Sequence, residues 1–444
     1  MTDENMPAPR DVPASPDRRR LLMGLGASGG ALAALAGGLV PAVAAEAGPT
    51  EAGNVTDAPI TGGHDDRVPY HGVHQAGIVT PRPEFGMIAT FDVIASEPAD
   101  LVRLFQTLNE RLLLVTQGWT PPKLDPRLPP ADSGLLGPVV SPDNLTATVS
   151  VGTSLFDDRF GLGRIKPARL QQMADFPNDA LDPALCHGDL SLQFCANSAD
   201  ANIHALRDII KNLPDLLVLR WKQEGYVPAV PKRQDQPPES ARNFLGFRDG
   251  SANPDAANAA VMNTVVWVDE GAEGEPAWTA GGTYQAVRII RNFVERWDRT
   301  PLGEQERIIG RRKDSGAPFD GKTEADVPDY ATDPKGKVTP LDAHIRLANP
   351  RTPASQANLI LRRPFNYSNG VSKAGQLEQG LLFIAYQADL EKGFIAVQRR
   401  LDGEPLEEYL KPIGGGYFFT LPGVRDEHDF IGRSMLDAAG IKTV

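Results

Sequence analysis

The chain has 444 residues, of which 41% are hydrophobic and 23% are charged, a composition typical of soluble globular proteins and not of disordered or fibrous ones. Its 45 basic and 57 acidic residues give a formal net charge of −12, which argues against a nucleic-acid partner. The only cysteines, Cys186 and Cys195, exclude a disulfide framework and a thiolate zinc cluster, but they leave open a single bridge between the two.

The first 44 residues have the pattern of an export signal. Arg18 and Arg19 precede an apolar run rich in glycine and alanine, which ends at the small-residue sequence Ala42-Val43-Ala44. We therefore predict a twin-arginine signal peptide at 1–44 and a periplasmic or extracellular mature protein, without stable membrane insertion after processing. A transmembrane anchor is the less favoured interpretation, because glycine dilutes the apolar run.

Residues 45–80 are rich in glycine, proline, aspartate and alanine and show no periodicity, which predicts a flexible leader. His64, His71 and His74 lie within it. Three imidazoles at this spacing could bind a transition metal, but a loop gives them little support from surrounding side chains. A metal site in the leader is therefore the less favoured interpretation.

Hydrophobic periodicity becomes regular after residue 85. Apolar residues recur at helical spacing between residues 101 and 112 and again between 203 and 213. Alternating patterns predict strands at 87–93, 145–152, 189–197 and 216–227. The order strand, helix, strand, strand, helix, strand predicts a ferredoxin-like (βαββαβ) domain at 81–235.

The second half, residues 236–444, repeats this order with a long insertion. Helical segments are predicted around 293–310 and at 390–401, and a polar loop at 314–342. Strands are predicted at 263–268, 283–290, 359–365, 380–387 and 416–422. The predicted fold class is therefore α+β, with two ferredoxin-like halves and antiparallel sheets.

Three segments of the second half carry chemically distinctive residues. NFLGFRDGSANP (243–254) holds Asp249 on a glycine-rich bend, and DAHIRLANPR (342–351) contains His344, which by itself would more often be a core histidine than a ligand. Arg362 and Arg363 are neighbours in a predicted strand, so only one guanidinium can face inward, where it needs an anion. An imidazole, a carboxylate and an arginine are the groups that a haem site needs to cleave a peroxide bond.

These segments, read together, resemble the dye-decolorising peroxidases. The likeness rests on GFRDG (246–250), DAHIRLANPR (342–351) and ILRRPFNYS (360–368), supported by HGVHQAGI (71–78) and GLLFIAYQADLEKGF (380–394). It covers residues 70–444 and is greatest for the exported bacterial branch that includes the periplasmic deferrochelatase/peroxidase of iron-uptake operons. The sequence departs from the family at Pro364, where a glycine is common.

The resemblance implies a haem-dependent peroxidase, an oxidoreductase that reduces hydrogen peroxide through a ferryl intermediate and oxidises small-molecule donors. A deferrochelatase that releases iron from haem while keeping the porphyrin ring intact is the alternative, and a non-catalytic haem carrier is a third interpretation. The implied cofactor is one haem b in the C-terminal half. The chain lacks the C-x-x-C-H sequence of covalent attachment, so the haem would be non-covalent. A homo-oligomer is compatible with the sequence.

The resemblance also assigns residues. It makes His344 the axial ligand of the haem iron, Asp249 the distal acid and base, and Arg362 the distal arginine. Asp389 is implied as a carboxylate behind the imidazole, although an N-cap before the helix at 390–401 is an equally good interpretation. The implied cofactor contacts are Gly250, Ser251 and Ala252 along the porphyrin, and Asn349, Pro350 and Arg351 at its edge, with Arg351 as a propionate partner.

The export prediction can be tested by changing Arg18 and Arg19 together to lysine. Because the twin-arginine pathway reads the arginine pair, we expect unprocessed precursor to accumulate in the cytoplasm. Fractionation and immunoblotting measure this directly. Processing and export at the parent level would show that the prediction is wrong.

Overall fold

The computed structural model describes residues 63–228, 230 and 239–443. The predicted signal peptide at 1–44 and the first part of the leader lie outside the described residues. Within the described ranges, no helix is both long enough and apolar enough to cross a membrane. Cys186 and Cys195 are both buried and free, without a disulfide between them.

The first half is a four-stranded antiparallel sheet with two helices on it. The helices are α1 (Pro98–Gln117) and α2 (Ala199–Asn212), and α2 begins where the Ser198 hydroxyl accepts a hydrogen bond from the amide of Ala201. The strands are β1 (Phe85–Val93), β2 (Thr146–Gly152), β3 (Leu190–Ala196) and β4 (Leu217–Tyr226). They lie in the order β4-β1-β3-β2, which is the ferredoxin-like order.

The second half repeats this arrangement. Its strands are β5 (Thr283–Asn292), β6 (Leu361–Arg362), β7 (Phe365–Val371), β8 (Leu377–Gln387) and β9 (Leu410–Thr420). They lie in the order β9-β5-β8, and β6 and β7 both pair with β8. The helices are α3 (Ala259–Val265), α4 (Val294–Trp297), α5 (Leu302–Ile309), α6 (His344–Ala348), α7 (Ala396–Leu401) and α8 (Arg433–Ala438).

The two halves join through strand pairing at both edges. β9 pairs with β2, opposing Val151 and Phe419, and β7 pairs with β4 where Tyr226 opposes Asn366. β5 pairs with both β8 and β9, so the pairing continues around a closed ring of strands. The prediction of an α+β fold built from two ferredoxin-like halves is confirmed.

Two predicted strands of the second half need correction. Residues 263–268 do not form a strand, because α3 occupies Ala259–Val265 and is capped by the Asn258 side chain, which accepts from the amide of Val261. In this run Asn263 and Thr264 are exposed and residues 265–268 are buried, and so short an apolar run cannot be assigned to a helix or a strand by periodicity alone. The predicted strand at 359–365 is divided into β6 and β7, because Pro364 between them has no amide hydrogen for the ladder.

The prediction of a flexible leader is wrong for its described part, residues 63–80. Gln75 is only 7% exposed, and its amide group donates to the carbonyl oxygens of Val149 and Leu421 at 2.8 Å each. Because one side chain contacts strands from both halves, this segment is part of the folded core. The adjacent Ile78 is also buried.

The three leader histidines contact different parts of the protein. His64 bonds to the carboxylate of Asp143 at 2.6 Å, and the rings of Tyr70 and His71 meet edge to face. His74 stacks on Trp267 with 3.7 Å between ring centroids. In the described part of the chain, no group of three or more His, Cys, Asp or Glu side chains could hold a metal ion.

The packing of β1 against β7 gives a stability prediction. A Cβ on Gly86 would lie 2.4 Å from Cζ of the buried Phe365, so Gly86→Ala should lower the free energy of unfolding by roughly 1–3 kcal/mol. Gly303 in α5 has no atom within 4 Å of such a Cβ, so Gly303→Ala should be neutral or stabilising by up to about 1 kcal/mol. Urea unfolding compares the two variants. Equal stability of both would contradict the packing.

Candidate active site

The second half encloses a cavity of about 270 Å³ between its sheet and its helices. Another cavity, beside Gln75, measures only about 10 Å³. One wall of the cavity is formed by β5 and β8. Their register places Arg288 opposite Phe383 and Ile290 opposite Leu381, so these four side chains lie on the same face of the sheet and line the cavity. Asp249, His344 and Arg362 all line this one cavity.

His344 is the first residue of α6, and its Nδ1 faces the carboxylate of Glu404 at 2.8 and 3.0 Å. A carboxylate can only accept, so Nδ1 carries a hydrogen, and in the neutral imidazole Nε2 has the lone pair. Burial lowers the pKa of His344, but the charge of Glu404 and its hydrogen bond outweigh burial and raise this pKa above its ordinary value. Glu404 is itself buried. The arrangement therefore presents a ring nitrogen that can act as a metal ligand.

Arg400 of α7 holds the other end of α6. Its Nε donates to the carbonyl oxygen of Leu347 and its Nη2 to that of Ala348, both at 2.9 Å. Its Nη1 donates to the side chain of Asn358 at 2.8 Å. A cation at the carboxyl end of a helix satisfies carbonyl groups that lack partners within the helix. His344 is thus positioned from both ends of a five-residue helix.

Asp249 lies on a turn that the side chain of Asn243 organises. The Asn243 Oδ1 accepts from the amides of Leu245 and Phe247 at 3.0 and 3.3 Å, while its Nδ2 donates to Asp249 Oδ1 at 3.3 Å. Gly246 has a φ of +83°, which glycine adopts without strain. This bend explains the glycine-rich sequence before Asp249.

Arg362 ties this turn to the sheet. Its guanidinium donates to the carbonyl oxygens of Asp249 at 3.1 Å and Ser251 at 2.8 Å. Asn253 in turn accepts from the amide of Arg362 at 2.9 Å and donates to its carbonyl oxygen at 3.0 Å. Arg363 points away, with its Nη1 on the carbonyl oxygen of Thr80. One guanidinium of the pair therefore lines the cavity, as strand alternation requires.

Glu324, from the loop at 314–342, supports the same turn. Its Oε1 accepts from the Ser251 hydroxyl at 2.8 Å and also from the Ser240 hydroxyl, while its Oε2 accepts from the Ser240 amide at 3.1 Å. The Ser240 oxygen accepts from the amide of Gly250 at 3.2 Å. No local pattern marked Glu324, because its partners lie more than seventy residues earlier in the chain.

One end of the cavity is strongly basic. Arg311 and Arg351 line it together with Tyr330. Burial lowers the pKa of Arg311. The charges of Tyr330 and Glu324 raise this pKa, whereas those of Arg351 and Arg362 lower it further. Burial also raises the pKa of the Tyr330 hydroxyl to about 12. Among the described residues, Nε of Arg311 and the Tyr330 hydroxyl have no hydrogen-bond partner. This end of the cavity is therefore suited to an anion.

Most of the predicted contact residues lie in the cavity wall. Gly250 and Pro350 do not line it, although their chain neighbours do. The wall includes Ser251, Ala252, Asn349 and Arg351.

The prediction that Asp389 backs the imidazole is wrong, and its carboxylate instead caps a helical turn from the residue before the N-cap position, Leu390. Its Oδ1 accepts from the amides of Glu391 and Lys392 at 2.9 and 3.0 Å, where a π-helical turn begins. The carboxylate beside His344 belongs instead to Glu404, sixty residues later in the chain. Sequence reasoning missed Glu404, because only the packing of α6 against the segment after α7 brings the two side chains together.

Comparison with known proteins places both halves in one family. Residues 75–227 match the family described as Dyp-type peroxidase, N-terminal, and residues 240–425 match Dyp-type peroxidase, C-terminal. The Deferrochelatase of Yersinia pseudotuberculosis serotype I (strain IP32953) is 54% identical over 97% of each chain. The Deferrochelatase of Escherichia coli O6:K15:H31 (strain 536 / UPEC) is 56% identical over 95% of this chain and 97% of that protein.

Solved structures agree with this result. The DyP-type peroxidase from Cellulomonas bogoriensis superposes with a TM-score of 0.74 at 34% identity, covering 85% of this chain and 100% of that one. Ferric DtpA from Streptomyces lividans also has a TM-score of 0.74, at 32% identity, covering 86% of this chain and 100% of that one.

The His344–Glu404 contact gives a prediction for the protein prepared without cofactor. Glu404→Gln should lower the pKa of His344, measured by NMR titration of the imidazole, whereas Asp389→Asn should not change it. Because the pKa of His344 is higher in the folded protein than in the unfolded chain, protonation of His344 stabilises the fold. This stabilisation is complete below pH 6.5, the ordinary pKa of histidine, and is lost as the pH rises through the folded-state pKa. The stability difference between parent and Glu404→Gln should therefore shrink with rising pH. An unchanged His344 pKa in Glu404→Gln would contradict this account.

Proposed function

The chain belongs to the Dyp-type peroxidase family, and we propose that its C-terminal half binds one non-covalent haem b and reduces hydrogen peroxide there, at the expense of organic donors. The observation that carries the proposal is that His344, backed by Glu404, lines the same cavity as Asp249 and Arg362. These are the groups that peroxide cleavage at a haem requires.

The residues present fit a haem. His344 Nε2 would offer its lone pair to the haem iron, and the hydrogen bond from Nδ1 to Glu404 would make the imidazole a stronger donor. The basic end of the cavity, with Arg311, Arg351 and Tyr330, can receive the two propionates, whose carboxylates would satisfy the unpartnered Nε of Arg311 and the Tyr330 hydroxyl. A bound haem would supply the iron that binds peroxide and the electrons that reduce it.

Asp249 is the proposed proton carrier. It accepts the proton that the inner oxygen of peroxide loses and returns it to the outer oxygen, which leaves as water. The Asn243 amide holds its carboxylate at 3.3 Å, so the group enters the reaction already oriented. Because an ordinary aspartate has a pKa of about 4, we expect activity to be highest at acid pH.

Arg362 is the proposed stabiliser of negative charge on the departing oxygen. Its two terminal nitrogens already donate to the carbonyl oxygens of Asp249 and Ser251. Each terminal nitrogen carries a second hydrogen, so the guanidinium can hold the turn and still offer donors to the cavity.

A deferrochelatase activity is the second candidate. It is favoured by curated relatives of that name, which are 54% and 56% identical over nearly the whole chain. Iron release needs the same haem contacts as peroxide reduction. The products separate the two activities, because iron release leaves free protoporphyrin and iron, whereas peroxidation leaves an oxidised donor and an intact haem.

We further propose that the protein acts in the periplasm or outside the cell, after twin-arginine export. The proposal is supported by the arginine pair, the glycine-diluted apolar run and the small-residue site within residues 1–44. Export of a folded chain is compatible with a cofactor that is bound before the membrane is crossed.

Variants of the distal residues test the peroxidase proposal. Asp249→Asn and Arg362→Leu should keep haem and slow its reaction with hydrogen peroxide by about a hundredfold to ten-thousandfold, followed by stopped-flow absorbance of the Soret band. Asp249→Asn should also lose the acid optimum, whereas Arg362→Leu should be slow at every pH. Asp255→Asn, on the same segment but outside the cavity wall, is the matched control.

Loading is checked separately with His344→Ala, which should not retain haem, and with His187→Ala, which should. If Asp249→Asn and Arg362→Leu both retain haem and react at the parent rate from acid to neutral pH, peroxide reduction does not depend on these residues. The iron-release activity would then become the leading hypothesis.

A further inference from the structure

We propose that Ser251 and Glu324 form a proton relay between solvent and the part of the cavity beside Asp249. The inference rests on the proposed function, because it concerns how that site obtains its protons. It holds for both candidate reactions, since each of them consumes protons.

The need for a relay follows from the proton balance. Reduction of one hydrogen peroxide to two waters takes up two electrons and two protons. Replacement of haem iron by hydrogen on the porphyrin nitrogens also takes up two protons. Asp249 can move a proton from one peroxide oxygen to the other, but this transfer leaves the number of protons unchanged. Protons must therefore reach the cavity from outside.

Ser251 and Glu324 connect the cavity to the surface through two side chains. The Ser251 hydroxyl donates to Glu324 Oε1 at 2.8 Å, and Ser251 lines the cavity two residues after Asp249. The side chain of Glu324 is 17% exposed, so its carboxylate can exchange protons with water. Both groups can give and accept a proton, as a relay requires.

The relay is held in place at both ends. Ser240 fixes the Glu324 carboxylate through its amide, at 3.1 Å, and through its hydroxyl. Arg362 fixes Ser251 through the carbonyl oxygen at 2.8 Å. A link with fixed geometry can transfer protons without first ordering its own groups.

The charged groups around Glu324 are mainly cationic. Arg248 approaches its carboxylate at 4.0 Å and is itself paired with Glu239 at 2.5 Å. The guanidinium of Arg311 donates to the backbone carbonyl of Glu324 at 3.0 Å, and the charges of Arg242 and Arg311 also act on Glu324. These cations compensate the charge that Glu324 regains after each transfer.

Each transfer conserves protons and moves no electrons. Glu324 takes a proton from solvent water. The protonated Glu324 no longer accepts from Ser251, so the hydroxyl rotates away from Oε1 toward the cavity. Glu324 then passes its proton to the Ser251 oxygen, while the hydroxyl's own proton leaves for the Asp249 carboxylate or for a water hydrogen-bonded to it. Glu324 is then a carboxylate again, and Ser251 is again a hydroxyl.

The competing explanation is that Ser251 and Glu324 only hold the turn at 249–251 in place. Four variants separate this structural role from the proton relay. Ser251→Ala removes the relay but leaves the Glu324–Ser240 contacts. Ser251→Thr keeps a hydroxyl at the same place. Glu324→Gln keeps the size of the side chain but cannot carry a proton. Ser240→Ala weakens the support of the turn but leaves the Ser251–Glu324 hydrogen bond.

The experiment uses the haem-loaded protein and the absorbance change on mixing with hydrogen peroxide, in H₂O and in D₂O. We expect Ser251→Ala and Glu324→Gln to react up to about a hundredfold more slowly, with a larger solvent isotope effect, and to recover rate when formic acid is added as a small proton donor. Ser251→Thr should recover most of the rate. Ser240→Ala should leave the isotope effect at the parent value. Glu304→Gln, in α5, is the control for loss of a carboxylate.

A second readout does not depend on turnover. Infrared difference spectra recorded across a pH titration should show a carboxylic acid band that is absent in Glu324→Gln and shifted in Ser251→Ala, because that hydroxyl donates to the carboxylate. Haem occupancy and the resting Soret spectrum should match the parent in every variant.

The relay is overturned if Ser251→Ala and Glu324→Gln keep the parent rates and isotope effects, or if Ser240→Ala loses as much as they do. Failure of the proposed function gives a different pattern, in which Asp249→Asn also reacts at the parent rate. If Asp249→Asn is slow while the relay variants are not, only the relay is excluded.

Discussion

The cavity depends on one set of reciprocal hydrogen bonds, between Arg362 and the turn that carries Asp249. The guanidinium reaches the carbonyl oxygens of Asp249 and Ser251, and the Asn253 side chain binds both backbone groups of Arg362. Even a partly buried cation is costly unless acceptors surround it, so the turn and the strand hold each other in place. The carboxylate and the guanidinium are therefore fixed together as one unit.

The same principle applies to His344, which also lines the cavity. His344 begins a helix of only five residues, too short to be stable alone, and it is held by Glu404 at one end and Arg400 at the other. Both partners come from the chain around α7, so the imidazole is oriented by the packing of the second half. Its Nε2 is left as the only ring nitrogen that can act as a ligand.

This arrangement is compatible with both proposed reactions. Peroxide reduction and iron release would both use His344 and the anion-binding end of the cavity, and both consume protons. Glu324 belongs to the loop that also contributes Tyr330 to the cavity wall. That loop would therefore link the proposed proton supply with the proposed anion-binding end of the cavity.

The sequence by itself determined the βαββαβ order of the first half, because its strands and helices have distinct apolar periods. Through the family resemblance of its motifs it also predicted Asp249, His344 and Arg362 as site residues, and the structure brings all three to one cavity. Their roles, the export signal and the domain boundaries stay predictions. Only the tertiary structure decided that residues 259–265 are helical and that Asp389 is a helix cap. It alone brought Glu404 to His344 and Glu324 to Ser251, because contacts sixty or more residues apart leave no periodic or local pattern in a single sequence.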